Sequence, residues 1–244
     1  MGEILEMTMQ LATARTATPT LPAFLAAAPK QAAAPTVEEA LLAHADEAVS
    51  FERDRMIFSE GDPAACVHII TGGMVRLCKM MPDGRRQIVG FLQAGDMMGL
   101  AMAARYLYSA EAVVPVTLRR LPRARLDALL DREPSLGRRL LSRTVTELQA
   151  AQDQMLLLGR KTAAERLASF LLVLARRAGT AHDGRCKVSM PMTRTDIGDF
   201  LGLTMETVSR AFTKLKTTRM IRLAGGHVVE LLDMDALAEL AEGC

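Results

Sequence analysis

Glu206, Ser209, Arg210 and Thr213 stand at i, i+3, i+4 and i+7 in the stretch 204–217. In an α-helix that spacing gathers their tips on one face. The side-chain types suit the edges of bases. An arginine can fork onto guanine O6 and N7, and a glutamate can accept from a cytosine amino group. Lys214 and Lys216, just beyond, suit phosphates. The plainer reading is the solvated face of any amphipathic helix. Charge favours the first: residues 185–222 hold eight Lys or Arg against three Asp or Glu, in a chain whose formal total is only +2. Such a local surplus is the electrostatic footprint of a phosphate-facing surface.

Two helix starts position this face. Thr193 precedes Asp196 by three residues, a capping-box spacing, and Thr204 stands eleven residues later before a first turn carrying Glu206. Between them Leu201-Gly202-Leu203 supplies a turn, with glycine able to take the left-handed conformation that ends a helix. Val208, Phe212 and Leu215 recur at core spacing, and Ile197 and Leu201 on the first helix can receive them. This is helix-turn-helix spacing.

The remaining chain divides into pieces that can carry such a pair. A helix is expected over 161–178, a hairpin turning at Gly225-Gly226 in MIRLAGGHVVELL forms a wing, and a short helix over 233–241 closes the unit. Upstream, Glu133-Pro134-Ser135 opens a long helix to about Leu158, ended by Gly159. Its Leu140, Leu141, Val145, Leu148, Gln152, Met155 and Leu156 lie near a repeat of about 3.5 residues, with Arg139, Arg143 and Glu147 beside them. A stripe of that kind suits a parallel helix pair between two subunits; a core helix within one chain is the alternative. From Val49 to Leu121 short β-type runs (VHIIT, MVRLCKM, QIVGFL, AVVPVTLRRL) are punctuated by Gly61, Gly72-Gly73, Gly84 and Gly95, which argues a small β-barrel or roll. Residues 1–45, with thirteen Ala and four Pro, read as a flexible arm containing at most a short helix near 36–45. The expected organisation is α+β: an arm (1–45), an N-terminal β-roll (46–132), a long dimerisation helix (133–159) and a C-terminal winged helix-turn-helix (160–244).

Several classes are set aside by composition. Trp is absent and aromatics are 4%, so no stacking platform for single strands is provided and duplex DNA is the expected partner. There is no apolar run long enough to span a membrane. The opening Met1-Gly2-Glu3 lacks a basic n-region, and four scattered cysteines form neither a disulfide framework nor a metal spacing. A cytoplasmic protein is expected. No Ser-His-Asp set, phosphate-cradling loop or metal-spaced His/Cys cluster speaks for an enzyme. Cys66 and Cys78 fall within strands and are expected in the core.

The order of parts, with the run DIGDFLGLTMETVSR, resembles the cyclic-AMP receptor protein/fumarate-nitrate regulator superfamily, and within it the FixK branch. The resemblance covers about residue 46 to the end. It implies that Glu206, Ser209 and Arg210, matching E-x-x-S-R, read a TTGA-type half-site. Thr193, Arg194, Thr204, Thr207 and Lys214 become candidates for phosphate contacts. It further implies a homodimer on a palindromic operator, working with RNA polymerase on oxygen-limitation or related metabolic genes.

Departures from the family pattern bear on cofactors. Cyclic-AMP binders carry G-E-L after the roll's G-D and then an R-S pair; here Gly95-Asp96 is followed by Met97-Met98-Gly99-Leu100, and Tyr108-Ser109 replaces the pair. No Glu or Arg remains there to offset burial of a phosphate. No cysteine precedes Cys66, which speaks against the iron–sulfur cluster of oxygen-sensing relatives, and His68 in VHII is the one candidate haem ligand. No cofactor is therefore expected; a small effector or haem in the roll, gating the same fold, is the alternative. Some FixK-like regulators carry an oxidisable Cys where this chain has Thr193. Cys186, between Arg185 and Lys187, is the redox candidate here, since flanking cations favour a thiolate; an inert thiol on a β-connection is the alternative.

Overall fold

The computed structural model describes residues 36–100, 104–179, 181–182 and 185–243, so the arm expected before residue 36 lies outside the described residues. Helix α1 (Val37–Leu42) opens with a reciprocal cap: the Thr36 hydroxyl accepts from the Glu39 N–H at 3.2 Å, and the Glu39 carboxylate accepts from the Thr36 N–H at 2.8 Å. The helix is shorter than 36–45, and its Leu41 is fully buried.

Eight strands follow: β1 (Ala48–Phe51), β2 (Met56–Phe58), β3 (Cys66–Gly72), β4 (Met74–Met80), β5 (Arg86–Gln93), β6 (Met97–Met98), β7 (Ser109–Ala112) and β8 (Val116–Pro122). They form two four-stranded antiparallel sheets, in the orders β1-β8-β3-β6 and β2-β7-β4-β5. Ile70 and Leu118 from the first meet Val75 and Ala110 from the second in one buried cluster. The turn from β3 to β4 requires a glycine. Gly73 has φ +84°, and a Cβ there would stand 2.2 Å from the Pro115 carbonyl oxygen. The run AVVPVTLRRL, expected as one strand, is broken around Pro115 into the last residue of β7 and all of β8 but its final Pro122. Proline has no N–H to give a ladder, so the chain turns there.

Helix α2 (Arg123–Arg132) leaves β8 without a loop and was not anticipated; Leu126 and Leu129 are its buried face. Helix α3 (Pro134–Arg160) starts on a proline at its first turn, where the missing N–H costs nothing. It also runs past Gly159, which does not take positive φ. The helix stops instead where Lys161 adopts extended backbone (φ −86°, ψ 146°). Leu136, Ala150 and Leu157 face inward. The opposite stripe is bare in the single chain: Leu148 is 59% and Met155 71% exposed, and Leu141, Val145 and Leu156 are exposed with them. Arg143, expected beside that stripe, turns inward to Glu38 and, at 3.4 Å, Asp96.

The C-terminal part holds α4 (Ala163–Ala178), β9 (Ala181–His182), β10 (Arg185–Ser189), α5 (Arg194–Leu201), α6 (Met205–Thr217), β11 (Ile221–Gly225), β12 (Val228–Leu231) and α7 (Met234–Glu242), with the strands ordered β11-β12-β10-β9. Thr162 and Glu165 form another capping box on α4, and Gly179 ends it in the left-handed conformation. Leu167, Phe170 and Leu171 of α4 are almost wholly buried beneath α5 and α6. Truncating any such leucine to alanine is expected to cost about 2–5 kcal/mol. The wing turns one residue later than expected. Its two-residue loop is Gly226-His227, both at positive φ as a type I′ turn requires, while Gly225 sits at a bulge in β11.

Candidate nucleic-acid interface

The two motif helices meet through Ile197 and Leu201 of α5 and Val208, Phe212 and Leu215 of α6, all at most 3% exposed. Both starts are capped as the threonines predict. Thr193 Oγ1 accepts from the Asp196 N–H at 3.0 Å and donates to Asp196 Oδ2 at 2.8 Å. Thr204 Oγ1 accepts from the Thr207 N–H at 3.2 Å. Gly202, at φ +65°, closes α5. The turn is also tied from below by Arg166. Its guanidinium donates to the carbonyls of Leu158, Lys161 and Leu201 at 2.8–2.9 Å, filling acceptors left open at two helix ends. Sequence reasoning missed Arg166, because nothing local marks an arginine that satisfies carbonyls 35 residues away.

On the outer face of α6, Glu206, Ser209, Arg210, Thr213 and Lys214 are all exposed. Among the described residues, neither Glu206 nor Arg210 has an ion-pair partner, so both heads are available to a ligand. Glu206 sits in the first turn, at the positive end of the helix dipole. Ser209 donates its hydroxyl back to the Met205 carbonyl at 2.9 Å, which leaves its oxygen as the outward-facing acceptor. The wing stands beside the start of α5. A groove of about 320 Å³ between them is lined by Met190, Met192, Thr193, Arg194, Leu223 and His227, among others.

The residues expected at phosphates are not equally free. Lys214 is exposed. The hydroxyls of Thr193, Thr204 and Thr207 are engaged in the caps, Thr207 Oγ1 lying 3.0 Å from Thr204 Oγ1. Arg194 is half-buried, its guanidinium 3.3 Å above the centre of the Phe212 ring. Stacking there fixes the first motif helix on the second before any phosphate is met.

Cys186 needs correction. Strand β10 alternates, so Arg185 and Lys187 are exposed while Cys186 points inward at 3% exposure, its Sγ 3.9 Å from the Ala175 carbonyl oxygen. Lys187 is drawn to Glu230 at 3.2 Å. Neighbours in sequence are therefore opposed in space, and the thiol that a redox role would expose is buried. Cys78 is buried as expected; burial first, then the Glu111 carboxylate, push its thiol up to about 11. Cys66 is only partly buried.

The roll contains a cavity of about 190 Å³ lined chiefly by Phe58, Leu77, Met97, Met98, Leu100 and Tyr106. Its arginine, Arg105, donates to the Gly61 carbonyl at 2.6 Å, and its carboxylate is Glu147, whose pKa is raised by burial. His68 does not line this cavity. It is 4% exposed and packs beside the stacked rings of Phe58 and Tyr106, with ring centres 5.2 and 5.9 Å away. Burial and then the charge of Arg120 lower its pKa to about 4. No cluster of three metal-binding side chains occurs among the described residues, and no helix there is long and apolar enough to cross a membrane.

Comparison with known proteins agrees with this geometry. A family model of the Crp-like helix-turn-helix domain matches residues 165–240, and one of the cyclic nucleotide-binding domain matches residues 48–133. The nitrogen fixation regulation protein FixK of Azorhizobium caulinodans is 46% identical over 191 residues, which cover 78% of this chain and 77% of that protein. The transcriptional activatory protein AadR of Rhodopseudomonas palustris is 42% identical over 184 residues, covering 75% of this chain and 77% of that one. The structure of FixK2 from Bradyrhizobium japonicum superposes with a TM-score of 0.74 at 40% identity, covering 80% of this chain and 96% of that one. A glycine-punctuated roll, a long helix with a bare apolar stripe and a winged reading helix, joined to these matches, place the chain in the cyclic-AMP receptor protein/fumarate-nitrate regulator superfamily of transcription regulators, in its FixK-like branch.

Proposed function

We propose that the chain works as a homodimer that reads a palindromic operator with TTGA-type half-sites and needs no bound cofactor to do so. The carrying observation is the uncovered face of α6, where Glu206 and Arg210 stand exposed and unpaired beside the oxygen of Ser209. Arg210 and Glu206 would hydrogen-bond base edges, while Lys214, Arg194 and the capped threonines would set register on phosphates. The exposed stripe of Leu141, Val145, Leu148 and Met155, at spacings of four, three and seven, supports a parallel helix pair. Such a pair would present two reading helices to successive major grooves about 34 Å apart. Resemblance to a nitrogen fixation regulation protein and to a transcriptional activatory protein supports a transcription regulator, and we infer that it acts with RNA polymerase on oxygen-limitation or related metabolic genes. The replacement of the family's Glu and Arg-Ser positions by Met97-Met98-Gly99-Leu100 and Tyr108-Ser109 supports a regulator governed by its amount rather than by a cyclic nucleotide.

The test is binding of the purified, reduced protein to a duplex with two inverted TTGA half-sites, against a scrambled duplex, with no effector added. A strong preference at a stoichiometry of two chains per duplex is expected. Equal affinity for both duplexes would sink the cofactor-free reading and move attention to an apolar effector in the roll cavity.

A further inference from the structure

The first motif helix is fastened to the β-roll through the same carboxylate that caps it. Asp196 has 2% of its side chain exposed, and its two oxygens are divided between two tasks. Oδ2 accepts from the Thr193 N–H and hydroxyl, closing the cap. Oδ1 accepts from Arg86 Nη2 at 2.6 Å. Arg86 begins β5 in the roll, 110 residues earlier, and its Nε donates to Asp199 Oδ2 at 2.8 Å, one turn further along α5. Gln87 adds a hydrogen bond to the Asp199 carbonyl at 2.7 Å, and Arg76 of β4 lies 3.6 Å from Asp196. Beneath this polar layer Phe91 of β5 meets Phe170 of α4 and Phe200 of α5, with ring centres 5.3 to 6.1 Å apart. A second anchor stands at the far end of α4, where Arg177 holds both oxygens of Asp96 at 2.7 and 2.8 Å.

We propose that Arg86 is a positioning residue for DNA reading: by gripping Asp196 and Asp199 it sets the orientation of the helix-turn-helix on the roll, and so the direction in which Glu206 and Arg210 face. The inference rests on the DNA reading proposed above. A planar guanidinium held on two carboxylates of one helix fixes direction as well as distance. Orientation matters because two copies of α6 must reach successive grooves together, and any fraction of molecules facing elsewhere is lost from the binding-competent population. The grip does not hide the reading face, since Glu206, Ser209 and Arg210 remain exposed while Arg86 is engaged. It therefore aims the reading helix rather than blocking it.

The test compares full-length wild type, Arg86→Gln, Arg86→Asp, Asp199→Arg and the Arg86→Asp/Asp199→Arg double variant. Operator affinity is measured on the TTGA-repeat duplex over a range of salt, and amide hydrogen exchange is followed without DNA. Arg86→Gln is expected to weaken operator binding about tenfold by depleting the competent orientation. The slope of log Kd against log salt should stay unchanged, because Arg86 touches no phosphate. Exchange should rise in 86–93 and 194–201 and stay unchanged in 66–72 of the other sheet. The double variant should recover part of the affinity lost in the single ones, only part because a carboxylate at 86 faces Asp196, and that coupling is one a general loss of stability would not produce. Unchanged or tighter binding by Arg86→Gln, or a salt slope lowered by about one, would overturn the proposal. If wild type shows no operator preference, the functional reading fails separately, and exchange decides: unchanged protection at 194–201 in Arg86→Gln overturns the positioning role, and a local rise upholds it.

Discussion

Gly198 lies against Leu203 so closely that a Cβ at 198 would stand 2.6 Å from the Leu203 carbonyl oxygen, while the Leu203 N–H donates to the Gly198 carbonyl at 2.9 Å. The helix-turn-helix closes on a bare backbone. In an exposed helix Gly→Ala usually gains up to about 1 kcal/mol. Here the obstacle is backbone on a hydrogen-bonded turn, so Gly198→Ala should instead lose roughly 1–3 kcal/mol. Urea denaturation checks the sign, and a variant more stable than wild type would refute the close approach. Gly137, which meets only the end of the Leu130 side chain at 3.9 Å, is the control expected to accept alanine.

Arg210 is exposed and unpaired, so its removal should leave folding nearly untouched. Arg210→Ala is expected to cost about 1–3 kcal/mol of operator binding and to flatten the preference for operator over scrambled duplex. Lys214→Ala should weaken both duplexes alike and reduce the salt slope by about one. Competition binding separates the two, and an Arg210→Ala protein that keeps the full preference would remove Arg210 from the reading set.

Much of this site was legible because its causes are local. Thr193 and Thr204 cap where their hydroxyls predict, Gly202 turns left-handed after Leu201, and the period of Val208, Phe212 and Leu215 picks out the buried face of α6. What stayed hidden depends on partners distant in the chain. Asp196 reads locally as a cap, yet its second oxygen belongs to Arg86, 110 residues away. Arg143 reads as a flank of the dimer stripe, yet it bends to Glu38 and Asp96. Gly159 looks like a stop, but the helix ended only where Lys161 could extend into the Thr162 cap. For Cys186 the sequence carried a sign that favours the inert alternative: Arg-Cys-Lys-Val-Ser alternates with a period of two, which sends Cys186 to the face opposite both cations.

That alternation predicts an order of thiol reactivity. Cys66 is partly exposed, whereas Cys78 and Cys186 are buried at 2% and 3%. Among these three thiols, iodoacetamide at neutral pH should modify Cys66 first, and both buried thiols at least about tenfold more slowly until denaturant is added. Mass spectrometry of timed digests reads the order. Cys186 reacting as fast as Cys66 would restore it as an oxidation sensor.

His68 makes stability depend on pH. Burial, then the charge of Arg120 across the β3–β8 pairing, hold its folded pKa at about 4, against an ordinary value near 6.5. Between these values the unfolded chain binds a proton that the folded chain refuses, so stability falls as pH falls. The contribution is fully present above about pH 6.5 and declines by up to roughly 1.4 kcal/mol per pH unit, reaching on the order of 3 kcal/mol near pH 4. Asp196 enters lower. Its own burial opposes ionisation, but the bonds from Thr193 and the charges of Arg76 and Arg86 outweigh that and hold its carboxyl below the ordinary range. Its share is therefore present above about pH 4 and lost as pH drops through the depressed value. Urea titrations at pH 7, 6 and 5 should show wild type losing stability steadily while His68→Gln, whatever its absolute stability, loses distinctly less over the same range. Parallel loss in the two proteins would mean that the imidazole is protonated in the fold and that the ring packing of Phe58 and Tyr106 does not exclude its charge.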